Sequence, residues 1–294
     1  MSTRSRGVYN FLDYIKADAG HHKRLECNEL LLTEFNCPMQ EKPQDIWTHQ
    51  NCFVFMLQGR KTWYTSEGSF EIGENECLFI SKGAYLIELS MKTDICVLLF
   101  FMPDQFIGDT FCQRLSSFPA GKKKFSPITR IHNDVALATY MQSVLALFTK
   151  DPRPTNTLLE LKFQELLLSV AGNPRNQDAL ACLLSLVDES PSITLQRIME
   201  NNFRFNLSLE EYAQLSNRSA SSFKRDFQKT YLTSPGKWLL NKRLGHAKLL
   251  LSNTAKTVSE VAFECGFENL SHFSRSFRQR YTVTPAQIRH AVSA

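Results

Sequence analysis

The sequence predicts an α+β protein of two domains, and three features of the chain support that prediction. Residues 28–102 contain short segments of aromatic and β-branched residues separated by glycines, which is typical of an antiparallel barrel or sandwich. From residue 132 onward, apolar residues recur at every third or fourth position, as they do in amphipathic helices. The net charge changes sign between the two parts, and 294 residues suffice for two ordinary domains.

Six short strands are predicted in the first domain, with the hairpin rhythm of a cupin-like jelly-roll barrel. Their sequences are CFVFML, KTWYTS, SFEI, ECLFIS, AYLIELS and DICVLLFFM, and Gly59, Gly68, Gly73 and Gly83 separate them. The pattern fades between residues 103 and 127, where FPAGKKKFSP is predicted to be a loop.

Three amphipathic segments between residues 132 and 188 complete the predicted N-terminal domain, residues 1–190. They are NDVALATYMQSVLALF, TLLELKFQELLLSVA and DALACLLSLV. The second ends at a Gly-Asn-Pro stop signal, and its wide apolar stripe suits either a dimer contact or packing on its own domain. The segment DESPS, residues 188–192, is predicted to be a linker or the start of a helix.

The C-terminal domain, residues 191–294, contains an internal repeat. The stretch LEEYAQLSNRSASSFKRDFQKTYLTSP aligns with VSEVAFECGFENLSHFSRSFRQRYTVTP when one extra residue is allowed in the turn of the second copy. The matched pairs are Ala213 and Ala262, Phe223 and Phe273, Arg225 and Arg275, Phe227 and Phe277, Tyr231 and Tyr281, and Pro235 and Pro285. A repeat this short is one supersecondary unit used twice.

Each copy is predicted to be a helix-turn-helix, over about residues 206–235 and 256–285, and a linker helix over about 235–252 joins them. Ser219 and Asn269 are predicted N-caps of the second helices. The phenylalanines at positions i and i+4 face the core, so the remaining positions face outward. This is the arrangement in which a second helix enters the DNA major groove.

The charge distribution favours the same interpretation. Residues 191–294 hold 15 Lys/Arg and 7 Asp/Glu, a net of +8, whereas residues 1–190 hold 19 and 22, a net of −3. A basic module joined to a mildly acidic remainder favours binding to a polyanion. On charge alone, a solvated basic face is the alternative.

The predicted DNA-binding residues lie on the outward positions, at the two caps and on the linker helix. They are Ser219, Ser221, Ser222, Lys224, Arg225, Arg243, Asn269, Ser271, His272, Arg275 and Arg278. Arg225 and Arg275 are predicted to contact a base or a phosphate, since arginine paired with guanine is the commonest specific contact. Arg243 is predicted either to contact phosphate or to brace the linker helix.

About 100 residues of the C-terminal part resemble the AraC family (AraC/XylS) of bacterial transcription regulators. The family pattern V-A-x-x-x-G-F-x-x-x-S-x-F-S-R-x-F-R-x-x-Y, followed by T-P, is present at Val261, Ala262, Gly266, Phe267, Ser271, Phe273, Ser274, Arg275, Phe277, Arg278, Tyr281, Thr284 and Pro285. Its linker pattern R-L-x-x-A-x-x-L-L is present at Arg243, Leu244, Ala247, Leu250 and Leu251. Leu232 and Thr282 stand where the family usually has glycine, so a strained or altered helix end is expected there.

The N-terminal half resembles the cupin-like regulatory domains that are fused to such DNA-binding domains. It is most similar to the branch of type III secretion activators, in which a partner protein controls the N-terminal domain. The resemblance implies a cytoplasmic transcription activator that binds double-stranded DNA and acts with RNA polymerase. Control by a small ligand or by a partner protein, and assembly into a homodimer, are further expectations.

Neither a catalytic centre nor a cofactor is expected. A metal-holding cupin needs two or three histidines and an acidic residue, but the barrel region offers His49 alone, and His21 and His22 precede the strands. The motif G-x-S-x-G is absent. Two alternatives remain open: a metal-free cupin-type enzyme with a nucleic-acid-binding tail, and a DNA binder that responds to no ligand.

Two further groups of residues have competing interpretations. Simple core packing is the more common fate of six aromatic residues of the barrel, and lining a ligand pocket is the alternative; they are Phe53, Phe55, Trp63, Tyr64, Phe79 and Tyr85. The GKKK stretch, residues 121–124, is either a DNA contact or a solvated loop.

No membrane segment or secretion signal is expected. The longest apolar run, Ile95–Met102, is too short to cross a bilayer, and the N-terminus lacks the pattern of a signal peptide. The eight cysteines form no C-x-x-C pair and suit a reducing cytoplasm.

Overall fold

The computed structural model describes residues 8–17, 22–37, 43–65, 68–89, 95–112, 125–187 and 190–293. Two compact units are formed, one comprising Tyr9–Ser190 and the other Pro191–Ala294. The first unit combines β-sheets with helices and the second is helical, so the predicted α+β fold class is confirmed. Within the described ranges, no helix is both long enough and apolar enough to cross a membrane.

The first unit contains two β-sheets. Its strands are β1 (Tyr9–Asn10), β2 (Lys23–Cys27), β3 (Leu30–Cys37), β4 (Gln44–Thr48), β5 (Asn51–Gln58), β6 (Lys61–Tyr64), β7 (Ser69–Ile72), β8 (Cys77–Ile80), β9 (Gly83–Leu89), β10 (Ile95–Met102) and β11 (Ile128–Ile131). One sheet has the order β1-β4-β9-β6-β7 and the other β11-β8-β5-β10-β3-β2. Neighbouring strands are antiparallel except β1 and β4, which are parallel.

Helices cover the outer face of the six-stranded sheet. The helices of this unit are α1 (Phe11–Ala17), α2 (Asp104–Cys112), α3 (Val135–Leu145), α4 (Asn156–Gly172) and α5 (Gln177–Val187). The helices on that outer face are α2 to α5, whereas α1 packs with the core between the sheets. On β5, Val54 and Met56 pack between the two sheets, whereas Phe53 and Phe55 pack with the helices. The six-stranded sheet is therefore covered on both faces, which explains why its strands β5, β8 and β10 are almost continuously apolar.

The predicted strands of this unit agree with the structure better than the predicted loop does. The six predicted strands correspond to β5–β10, but the predicted loss of regular structure between residues 103 and 127 is wrong for α2, where Ile107 and Phe111 are fully buried. The strands β1, β2 and β11 and the helix α1 were not predicted, and β3 and β4 lie in the predicted β region without a strand of their own having been predicted. The GKKK stretch and His21 lie outside the described residues.

Helix α4 packs on its own unit, which was one of its two predicted roles. Phe163, Leu166, Leu167 and Val170 are buried in the cluster that joins the helices to the six-stranded sheet. Leu161, on the outer side of the same helix, remains 54% exposed. Most of the wide apolar stripe is therefore used inside the unit.

The second unit consists of helices joined by short turns. These helices are α6 (Pro191–Asn202), α7 (Leu209–Leu215), α8 (Ala220–Tyr231), α9 (Pro235–Asn253), α10 (Val258–Glu264), α11 (Leu270–Tyr281) and α12 (Pro285–Ser293). The pairs α7–α8 and α10–α11 correspond to the two copies of the repeat, and α9 is the helix between them. Ala213 and Ala262, a matched pair of the repeat, are both buried.

Both second helices of the repeat end on a residue other than glycine in the left-handed region. Leu232 has φ 53° and Thr282 has φ 64°. The Leu232 amide still donates to the Gln228 carbonyl at 3.0 Å, and the Thr282 amide donates to the Arg278 carbonyl at 2.8 Å. The altered helix ends expected from the sequence are confirmed, and each holds a side chain where glycine would carry no steric cost.

The substitution Leu232→Gly is expected to stabilise the protein. Leu232 is 83% exposed, so little packing is lost, while the left-handed conformation becomes unstrained; a gain of about 0.5–1 kcal/mol is expected. Urea unfolding of the whole chain measures it. The matched control is Lys229→Gly, one turn earlier within α8, which should instead destabilise by about 0.5–1 kcal/mol. A loss of stability in Leu232→Gly would contradict the assigned strain.

Candidate nucleic-acid interface

The two helix-turn-helix units begin with the same capping device. In α7, the Ser208 hydroxyl accepts from the Glu211 amide at 3.2 Å, and Glu211 accepts from the Ser208 amide at 2.6 Å. In α10, Thr257 and Glu260 repeat this exchange at 3.2 and 2.8 Å. The hydrogen bonds from Thr257 lower the pKa of the Glu260 carboxyl. Both units therefore start from a reciprocal capping box that fixes the entry of the first helix.

The second helix of each unit is capped by the residue that the sequence predicts. The Ser219 hydroxyl accepts from the Ser222 amide at 3.2 Å. The Asn269 side chain accepts from the amides of Ser271 at 2.8 Å and His272 at 3.0 Å. These bonds fix the first turns of α8 and α11, which we name the recognition helices.

Each recognition helix buries one stripe and exposes the opposite face. Phe223, Phe227, Phe273 and Phe277 are fully buried, as predicted. The exposed members of the predicted set are Ser219, Ser221, Lys224, Arg225, Asn269, Ser271, His272, Arg275 and Arg278, and Ser222 is half-buried. The structure thus brings ten of the eleven predicted residues to the outward sides and starts of the two recognition helices.

One exposed residue on the recognition face was missed. Gln228 precedes Tyr231 by three positions, as Arg278 precedes Tyr281, so the two occupy the same place in the repeat. It is exposed and lies one turn after Arg225. The alignment of the two copies contained this signal, but an uncharged glutamine does not stand out as a DNA contact.

The two turns are stabilised by different interactions. In the first helix-turn-helix, Arg218 forms an ion pair with Asp226 at 3.0 Å. Arg218 also donates to the carbonyls of Ser216 and Pro191 at 2.9 and 2.7 Å. In the second helix-turn-helix, Phe267 is buried and packs on Phe273, with 5.0 Å between the ring centroids. Asp226 is also 3.6 Å from the exposed Arg225, so the first recognition face is partly neutralised in the free protein.

Arg243 lies inside the helical unit and not on the recognition face. Its guanidinium donates to the backbone carbonyls of Phe203 at 2.6 Å, Phe205 at 2.8 Å and Gly266 at 3.1 Å. Burial lowers the pKa of Arg243, and the nearby Tyr212 hydroxyl opposes that shift. Of the two predicted roles for Arg243, the structure shows the brace, and its assignment as a phosphate contact is corrected.

The predicted pocket residues of the first unit do not surround one interior. Phe53, Phe55 and Phe79 belong to the cluster under the helices, and Trp63 and Tyr85 lie between the sheets. The sixth, Tyr64, is half-buried and donates its hydroxyl to Glu88 at 2.6 Å. The two faces of the six-stranded sheet separate these rings, so of the two interpretations the structure shows core packing for the five buried rings and no pocket lined by all six.

His49 lies near the start of the first unit. Its Nδ1 is 3.4 Å from the side-chain nitrogen of Asn10, and burial lowers the pKa of its imidazole. Among the residues that the structure describes, no group of three or more His, Cys, Asp or Glu side chains is placed to hold a metal ion.

The pairs α7–α8 and α10–α11, with a polar outward face on each second helix, place the helical unit in the class of helix-turn-helix domains. The family model of a helix-turn-helix domain matches residues 212–291, and the model of the ExsA N-terminal regulatory domain matches residues 51–182. The chain is homologous to type III secretion activators of the AraC family of transcription regulators.

Curated relatives match along most of their length. The virulence regulon transcriptional activator VirF of Yersinia enterocolitica is 28% identical over 244 residues, which cover 82% of this chain and 89% of VirF. The HTH-type transcriptional regulator ExsA of Pseudomonas aeruginosa is 26% identical over 238 residues, covering 80% and 84%. The solved structure of ToxT from Vibrio cholerae is 12% identical, with a TM-score of 0.40 and coverage of 91% and 100%.

Substitutions on opposite sides of α11 are expected to separate folding from surface chemistry. Phe273→Ala should destabilise the protein by about 3–5 kcal/mol, because it opens a cavity in a fully packed core. Arg275→Ala should change stability by no more than about 0.5 kcal/mol, because the side chain is exposed. Thermal and urea unfolding of both variants provide the comparison. Unfolding of the chain by Arg275→Ala would assign the polar face a structural role.

Proposed function

We propose that this AraC-family regulator is a cytoplasmic, sequence-specific transcription activator that binds double-stranded DNA through residues 191–294. Residues 1–190 form the regulatory domain in this proposal. The observation that supports it best is the pair Arg225 and Arg275. Both are exposed at the same place in the repeat, on helices whose opposite faces are fixed by buried phenylalanines.

The two arginines suit contacts to base edges in the major groove. An arginine fork pairs with the O6 and N7 atoms of guanine, which distinguishes this base from the others. Ser271 and His272 lie on the first turn of α11, and Ser221 lies at the same place on α8, where side chains also reach base edges. Each recognition helix would then specify a short element of the DNA site.

Phosphate contacts would orient the protein on the duplex. The starts of α8 and α11 are exposed, and their N-cap residues Ser219 and Asn269 lie beside backbone amides that suit phosphate oxygens. The net charge of +8 on residues 191–294 adds attraction that does not depend on base sequence.

Control would pass through the first unit, and a partner protein suits it better than a small ligand. Between the two sheets, where a pocket would lie inside the barrel, Trp63 and Tyr85 are buried side chains of a packed core. The resemblance of the N-terminal half to type III secretion activators, in which a partner protein controls this domain, supports the same choice. Contact with RNA polymerase and assembly into a homodimer belong to the proposal, and the exposed Leu161 on α4 is available to such a contact.

The proposal is tested by selecting bound fragments from random double-stranded DNA with the full chain. A specific consensus is expected, with affinity that falls steeply as salt rises because bound phosphates release counterions. The matched control is the double variant Arg225→Ala, Arg275→Ala, which should retain weak, salt-dependent binding without a consensus. A folded wild-type chain that retains no DNA at low salt would refute the proposal.

Single substitutions should relax the preference at separate positions of the site. Arg275→Ala is expected to weaken specific binding by about 1–3 kcal/mol and to relax selectivity at one base pair. Arg225→Ala should act alike at base pairs about one helical turn away, because the two helices would enter successive major grooves. Competition binding against single-base variants of the selected site measures both. Effects of both variants at the same base pair would contradict this arrangement.

A further inference from the structure

The guanidinium of Arg243 joins parts of the chain that belong to different helix-turn-helix units. Phe203 and Phe205 lie in the connection between α6 and α7, just before the first helix-turn-helix. Gly266 lies in the turn of the second helix-turn-helix. All three acceptors are backbone carbonyls, so the bonds fix the course of the main chain. A planar fork with donors in fixed directions suits such a set, and an ammonium group does not reproduce it.

The two segments also meet directly. Gly266 has φ +81°, and a Cβ placed on it would lie 2.5 Å from the Arg204 carbonyl oxygen and 3.2 Å from Cζ of Arg243. No side chain fits there without displacing backbone. A second link runs from the Asn206 side-chain amide to Glu268 at 2.7 Å. The turn of the second helix-turn-helix therefore packs directly against the α6–α7 connection.

Helix α9 holds that connection from the other side. Lys242 forms an ion pair with Glu200 of α6 at 2.5 Å, and the Phe203 ring packs edge-on against His246, with 5.5 Å between ring centroids. Lys242 also lies over the Phe203 ring, at 5.8 Å from its centroid, so Lys242, Arg243 and His246 of α9 all contact Phe203 at the start of the connection. The same helix supplies Leu244, Ala247 and Leu251 to the core of the second unit.

We propose that Arg243 is a positioning residue that sets the separation of the two recognition helices, by clamping the α6–α7 connection to the turn of the second helix-turn-helix. This inference rests on the proposed function. One added base pair moves two DNA elements apart by about 3.4 Å and also rotates them around the duplex. A protein with a rigid clamp therefore tolerates one separation of its two elements, and a protein without it tolerates several.

The experiment begins with DNA selection by the full chain, in which wild type is compared with Arg243→Lys. The affinity of both proteins is then measured on sites with one base pair added or removed between the two elements. Wild type is expected to select a single separation. Arg243→Lys should select several separations, and its preference for the best separation should fall roughly tenfold, as expected from the loss of a charge-assisted hydrogen bond. The sequence preference within each element should stay unchanged.

Arg289→Lys is the matched control. Arg289 also donates to a backbone carbonyl, that of Thr254. Both residues follow Arg243 in the chain and belong to the half of the domain that contains the second helix-turn-helix, so their hydrogen bond does not join the two helix-turn-helix units. Its selected separation should equal that of wild type. Should Arg243→Lys fail to fold in a thermal melt, Glu268→Ala decides the question, since it removes the exposed second link. It should broaden the separations, and Glu268→Gln, which keeps the acceptor oxygen, should restore the single one.

The outcomes distinguish this inference from the proposed function. Absence of any consensus with wild type refutes the proposed function itself. The positioning role is overturned if wild type selects two elements and the folded Arg243→Lys variant selects them at the same single separation. If Arg243→Lys does not fold, the same result with Glu268→Ala overturns it. Wild-type sites with only one element overturn it as well.

Discussion

The recognition surface depends on the burial of one phenylalanine pair in each second helix. An α-helix has 3.6 residues per turn, so Phe223 and Phe227 share one side of α8, and Phe273 and Phe277 share one side of α11. All four are fully buried. Because this stripe cannot leave the core without a large loss of apolar burial, the orientation of each helix is fixed and the polar residues between the phenylalanines must face outward.

The same rings connect each recognition helix to the residues at its C-terminal end and beyond. The Phe227 ring stacks on Tyr231 with 4.5 Å between centroids and lies 6.1 Å from Trp238 of α9. In the second helix-turn-helix, the ring centroids of Phe277 and Tyr281 are 4.8 Å apart. Core packing thus extends from the first recognition helix into the linker helix. The contacts of Arg243 with backbone carbonyls add a polar connection where this aromatic packing does not reach.

The two units are similar in fold but differ in the interactions that hold their turns. The first uses the Arg218–Asp226 ion pair and the second uses the buried ring of Phe267. An ion pair near the surface weakens as salt rises, whereas apolar packing does not. Asp226 also attracts Arg225, but the matching position beside Arg275 is the uncharged Ser276. The second recognition helix consequently presents its arginine without an adjacent acid.

Local signals predicted the helical unit well. The caps Ser219 and Asn269, the buried phenylalanines and the altered helix ends at Leu232 and Thr282 all follow from short-range patterns. The role of Arg243 could not be decided from the sequence, because its acceptors are main-chain carbonyls, and these leave no trace in residue identity. Three distant parts of the chain must be folded before its partners are defined.

The sheet unit was harder to predict for a different reason. Strand segments are recognised by composition, but alternation assigns a side chain to a face only when one face is polar. In β5, residues on both faces are buried, so Phe53 and Val54 look equivalent in the sequence although they belong to different cores. The sequence therefore did not show that the aromatic residues belong to two separate cores. Helix α2 was missed since its 9 residues give only two turns of apolar periodicity.

The central claim is that two rigidly connected helix-turn-helix units bind one face of a DNA duplex. Hydroxyl-radical footprinting of the full chain on a bound fragment tests it most directly, because the cleavage pattern reports which face of the helix is covered. The account predicts two protected windows on the same face, centred about 10 base pairs apart. A single window, or two windows displaced to opposite faces of the duplex, would contradict it.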